Sequence, residues 1–112
     1  MQKFDYRVPR FSADVPARLT LAESTRSGQC KDISLEGMRL EMQHPFPLDS
    51  VGTLELSVEG IAVELGFRIT NCQHRSNGLK FIYESEEQRQ RIRRIVSLLA
   101  SPHNKPGLVL LS

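Results

Sequence analysis

The sequence predicts an all-β barrel with a helix: six short antiparallel strands closed into a barrel, followed by one C-terminal amphipathic α-helix. Three observations predict it. Apolar and polar residues alternate in short runs over residues 14–83, the period of a strand with one buried face. Glycine, proline and asparagine punctuate those runs. The period then lengthens once, over Ile92 to Leu99, to that of a helix. A chain of 112 residues has room for one domain, and a sheet closed on itself leaves no exposed edge.

Residues 1–13, with Lys3, Arg7, Pro9, Arg10 and Ser12 and no sustained periodicity, read as a basic N-terminal arm. The barrel and helix occupy 14–100, and 101–112 form a tail. In the first strand Val15, Ala17, Leu19 and Leu21 alternate with Pro16, Arg18, Thr20 and Ala22, the proline sitting early, where strands tolerate it. A second strand over Gly28 to Ile33 runs into the connection Asp32-Ile33-Ser34-Leu35-Glu36-Gly37. In the third, Met38, Leu40 and Met42 oppose Arg39, Glu41 and Gln43 until His44-Pro45-Phe46-Pro47 ends the run. Leu54, Leu56 and Val58 mark the fourth strand. Glu59-Gly60 then makes a two-residue hairpin into Ile61, Val63, Leu65, Phe67 and Ile69. Ser76-Asn77-Gly78 reads as a turn before a last strand, Leu79 to Tyr83.

Ile92, Ile95, Val96 and Leu99 place one apolar stripe along a helix. Ser85 and Gln88 have the spacing of a capping box, and Glu86 and Glu87 suit the positive end of the helix dipole. With Pro102 as a stop, the helix covers Glu86 to Ala100.

An apolar share of 39% and a charged share of 25% are those of a soluble globular protein. A net charge of +2 excludes nothing, although a general nucleic-acid binder usually carries a heavier basic excess; a third reading as such a binder rests on Arg89, Arg91, Arg93 and Arg94, which beside Glu84, Glu86 and Glu87 have the ordinary form of a solvated helix face. No stretch is long and apolar enough for membrane insertion, the tail at Leu108 to Leu111 included, and a cytoplasmic location is expected. Cys30 and Cys72 stand apart from each other and from any histidine at ligand spacing, so two buried strand thiols are expected rather than a disulfide or a metal site. His44, His74 and His103 are isolated, and there is no G-x-S-x-G elbow, phosphate-cradling glycine loop or carboxylate pair. Neither an enzyme nor a cofactor is expected.

The residues with chemistry to offer are Arg7 and Arg10 on the arm and Asp32, Ser34 and Gly37 in the sheet connection. Planar guanidinium forks match phosphate oxygens and the O6/N7 edge of guanine. An ionised Asp32 accepts the N1 and N2 protons of guanine, which adenine does not offer. Ser34 can donate to a phosphate or ring acceptor, or, like Asp32, bond its own turn backbone. Gly37 lets backbone approach a base, or serves the turn alone. Tyr6 can stack on a base or pack the arm against the barrel. Together these residues suit an anionic, guanine-containing ligand.

Arg7-Val8-Pro9-Arg10-Phe11, Asp32-Ile33-Ser34-Leu35-Glu36-Gly37 and Gly78-Leu79-Lys80-Phe81 follow one another with the strands and final helix between and after them. From about Phe4 to Ala100 this order resembles the PilZ domain family. The resemblance implies binding of cyclic di-GMP at the barrel mouth by the first two motifs, ordering of the arm by the ligand, and relay to a protein effector of unknown identity. It also implies a receptor rather than a catalyst. The family usually separates its arginines by three residues, and counting back from Arg10 leads to Tyr6, with Arg7 one place later. In an extended segment one place is the opposite face. A lost charge-assisted contact costs about 1.5–3 kcal/mol, roughly ten- to a hundredfold in affinity. Some family members bind only protein partners, so a protein-interaction module that does not bind the nucleotide is the alternative.

Overall fold

The computed structural model describes residues 9–100. Six strands form a closed antiparallel barrel: β1 (Phe11–Leu21), β2 (Ser24–Ile33), β3 (Gly37–Glu41), β4 (Val51–Val58), β5 (Ile61–Gln73) and β6 (Ser76–Ile82), in the order β1-β2-β3-β6-β5-β4. One helix, α1 (Glu86–Ala100), follows. Four of the neighbouring pairs are consecutive in the chain. The other two, β3 with β6 and β4 with β1, close the sheet.

The alternation seen in the sequence becomes an inside and an outside. Leu19, Leu40, Leu54, Leu65, Phe67, Ile69 and Leu79 point into the barrel and are almost wholly buried. Their polar neighbours face outward. The barrel end is covered by Ile92, Ile95 and Val96 of α1, which packs against β5 and β1. The helix starts as its capping residues require, with one variation. Ser85 Oγ accepts the Gln88 N–H (3.2 Å), but Gln88 Oε1 accepts the N–H of Glu84 (2.6 Å) and its Nε2 donates to the Glu64 carbonyl (2.9 Å). The cap thereby ties the helix to β5.

Four local expectations differ from the structure. β2 begins at Ser24, four residues before the expected Gly28, because Ser24 to Ser27 pair with Leu21 to Arg18 across the hairpin. β1 reaches back to Phe11, three residues into the segment read as arm, because Phe11 pairs with Ile33 and Ser12 with Asp32 before a register shift. The last reversal lies at His74-Arg75, with Arg75 at φ 59°, and not at Ser76-Asn77-Gly78, which belong to β6. Asn77 is wholly buried: its amide accepts the Phe46 N–H (2.7 Å) and donates to the carbonyls of Phe46 (3.0 Å) and Asn71 (3.2 Å). A residue that looks like turn chemistry is instead the polar staple of the loop before β4. Finally, both cysteines are free and in strands, but only Cys30 is buried; Cys72 is exposed because β5 runs past the barrel rim, with Thr70 to Arg75 all exposed.

Candidate functional site

The connection from β2 to β3 is built by an irregularity. Gln29 pairs with Glu41 and Cys30 with Leu40, but the next pair is Asp32 with Arg39, leaving Lys31 as an extra residue. A strand alternates faces at every residue, so one inserted residue puts Asp32 on the outer face beside Gln29. There its carboxylate holds two arginines. Oδ1 accepts from Arg10 Nε (2.9 Å) and Nη2 (2.5 Å), and Oδ2 accepts from Arg39 Nε (2.9 Å). The Asp32 side chain is 23% exposed, while those of Arg10 and Arg39 are 47% and 49% exposed. Nearby, Asp14 Oδ1 accepts from Gln29 Nε2 (3.1 Å) and Lys31 Nζ (3.2 Å), and these bonds, Lys31 first, hold its carboxyl below the usual range.

Ser34 and Gly37 shape the connection from within. Ser34 is buried, and its Oγ accepts the N–H groups of Glu36 (3.1 Å) and Gly37 (3.2 Å), while its own N–H donates to the Gly37 carbonyl (2.8 Å). Of the uses open to this hydroxyl, the structure shows the turn bonds. Gly37 is not required by a positive φ, which among the described glycines belongs to Gly60. A Cβ on Gly37 would lie 2.1 Å from the Leu79 carbonyl oxygen, so only glycine lets β3 lie this close to β6. Outer bonds pin the connection to the same strand end: Phe81 N–H to the Glu36 carbonyl (2.8 Å) and Tyr83 Oη to the Leu35 carbonyl (2.6 Å). Burial pushes the Tyr83 hydroxyl up to about 12.

Behind Asp32, Cys30 Sγ donates to the Asp32 carbonyl (3.4 Å). Burial, with the Asp32 charge second, pushes this thiol up to about 12, so it is neutral at ordinary pH and unsuited to nucleophilic attack. Among the described residues no group of His, Cys, Asp and Glu could hold a metal ion, and His44 and His74 are exposed. No helix of the described residues is long and apolar enough to cross a membrane.

A cleft of about 740 Å³ lies further along the strands, lined by Gln29, Glu41, Arg26, Gln43, His44 and Arg75 but not by Arg10, Asp32 or Arg39. This is within the usual size range of small-molecule sites. Arg26 is committed to structure, its guanidinium 4.0 Å from the Phe46 ring centroid and bonded to the carbonyls of His44 and Pro45. A second cleft, of about 610 Å³, surrounds the Arg18–Glu55 pair and includes neither Asp32 nor Arg10.

The structure thus brings Arg10 and Asp32 together, buries Ser34 and uses Gly37 for strand contact. Tyr6, Arg7 and the tail lie outside the described residues. Arg39 was not among the candidates. Its signal was its place on the polar side of the third strand, two residues after Gly37, but its partner depends on the Lys31 irregularity.

The model of the PilZ domain family matches residues 6–98 of this chain. Comparison with curated proteins finds no match. Among solved structures, the PilZ domain of CeSA from a cellulose-synthesizing bacterium superposes with a TM-score of 0.74 at 20% identity, over 83% of this chain and 99% of that one. MrkH of K. pneumonia in complex with c-di-GMP gives 0.67 at 19% identity, and apo MrkH 0.65 at 17%. Each match to MrkH covers 88% of this chain but only 53% and 52% of MrkH, so this chain spans about half of that protein. At these identities the likeness is one of fold.

Proposed function

Because the chain belongs to the PilZ domain family, we propose that it is a receptor for cyclic di-GMP, a binding module rather than an enzyme, that passes the ligand's presence to a protein partner. The observation that carries this is the outward-facing Asp32 carboxylate gripped by Arg10 and Arg39 on the barrel surface. In the free protein Arg10 spends its fork on Asp32. A ligand phosphate offers the same fork an equivalent acceptor, and a guanine N1/N2 edge offers Asp32 an equivalent donor. Binding is therefore an exchange of charge-assisted bonds for charge-assisted bonds. The surplus comes from base burial and from Arg7 and Tyr6 if they are drawn in.

That exchange supplies the relay. Arg10 immediately precedes β1, so transferring its fork from Asp32 to the ligand changes the surface offered to a partner at that end of the strand. Calorimetry with cyclic di-GMP tests the reading. The wild type gives binding heat, Arg10→Ala and Asp32→Ala each bind about ten- to a hundredfold more weakly, and the adenine analogue gives none. Equal heats from all three proteins would overturn it.

A second reading is a protein-interaction module without nucleotide. It is favoured by Tyr6 at the position of the family's first arginine and by the fact that both Asp32 oxygens are already occupied. It predicts no heat with cyclic di-GMP and the same partners in a pull-down with and without it.

A further inference from the structure

We infer that Arg39 is the second arginine of the ligand clamp, supplying from the barrel wall the guanidinium that the arm spacing leaves on Tyr6. The inference rests on the cyclic di-GMP reading. Arg39 and Arg10 approach the two oxygens of one carboxylate, Oδ2 and Oδ1 of Asp32, so Asp32 holds two forks side by side. Arg39 spends only its Nε on that bond, and neither of its Nη groups has a partner among the described residues. A guanidinium has five N–H donors, so most of the fork remains for a phosphate or a guanine edge.

The ground around Arg39 favours an anionic visitor. On β6 the residue directly opposite is Gly78, so that strand presents no side chain to the fork there, and the side chain over the glycine is the neutral Asn71 of β5. One step further, Lys80 and Arg68 pair directly across β6 and β5, both exposed and neither in an ion pair among the described residues. Like charges directly opposite on a sheet repel. A ligand with two phosphates relieves that repulsion, and the surface potential draws it toward Arg39. A strand-borne arginine is also better fixed than an arm-borne one, so less freedom is lost on binding.

The test is calorimetry with cyclic di-GMP on the wild type, Arg39→Gln, Arg39→Lys, Asp32→Asn and the Asp32→Asn/Arg39→Gln double variant, with melts confirming that each is folded. Arg39→Gln is expected to weaken binding about ten- to a hundredfold. Lysine, which keeps the charge but not the fork, recovers only part of it. The loss persists in the Asp32→Asn background, because Arg39 acts on the ligand and not solely through Asp32. An unchanged Kd for Arg39→Gln would overturn the inference and leave the receptor reading standing. So would a loss that disappears once Asp32 is neutral, or, should Asp32→Asn bind too weakly to titrate, full recovery with lysine. A wild type that binds nothing would overturn the receptor reading itself, and this inference with it.

Discussion

Glu59-Gly60 joins β4 to β5 with both residues at positive φ, 50° and 87°, and a side chain added at Gly60 would meet nothing within 4 Å. The β2–β3 connection also ends on a glycine, but there the obstacle is the Leu79 carbonyl of a strand about forty positions away, 2.1 Å from where a Cβ would be. The first turn is a local solution: its backbone twist matches the strands, and the surroundings are open solvent. The second is a tertiary one, held by the Ser34 hydroxyl within, by Phe81 of β6 and by Tyr83 just beyond it. The difference teaches where a site can be built. A connection braced from several directions can hold Asp32 at a fixed place for two arginines, whereas a free hairpin has no such support.

The comparison breaks most sharply with Gly37→Ala. The clash is with backbone, which cannot swing aside, so a loss of about 3 kcal/mol or more is expected, together with weakened cyclic di-GMP binding, since Asp32 shares this connection. Denaturant melts and calorimetry check both; a loss near that of an ordinary surface substitution would show that β3 and β6 can separate. Next comes Ser34→Ala, which strips two N–H groups of their acceptor in a half-buried turn and is expected to cost about 1–3 kcal/mol. Gly60→Ala follows at about 1 kcal/mol, a purely backbone effect with no change in ligand affinity. Lowered affinity would show that the β4–β5 hairpin is coupled to the site.

The smallest effect is a pH dependence from the buried side of the site. Cys30 is raised from the usual 9.0 to about 12 by burial. Below 9 the thiol is neutral folded and unfolded, and its contribution is fully present. Between 9 and 12 only the unfolded chain loses the proton, so stability falls as pH rises, by about 0.4 kcal/mol at pH 9 and more beyond. Cys30→Ala should flatten that part of a stability–pH curve. Retention of the full slope would assign it to other groups, Tyr83 first.

Much of the fold was legible because it is local. Alternation placed the core-facing residues from Leu19 to Ile69, positive φ was implied by Glu59-Gly60, and the stripe and cap of α1 gave Glu86 to Ala100, the same bounds the structure has. Of the candidate site, the residue types were legible and the partnerships were not. Ser34 offered a hydroxyl for turn bonds, for a ligand or for both, and which backbone groups it bonds is seen only in the fold. Asn77 looked like a turn residue and is a core staple.

From the sequence alone followed the class of fold, the order of its elements and the two stretches with chemistry to offer, since periodicity, caps and short turns depend on residues a few positions apart. Only the tertiary structure decided that β3 lies against β6, that Gly37 is demanded by Leu79, and that Arg39 shares Asp32 with Arg10. Those facts depend on strand register across the closed barrel, where one extra residue, Lys31, turns a side chain to the other face.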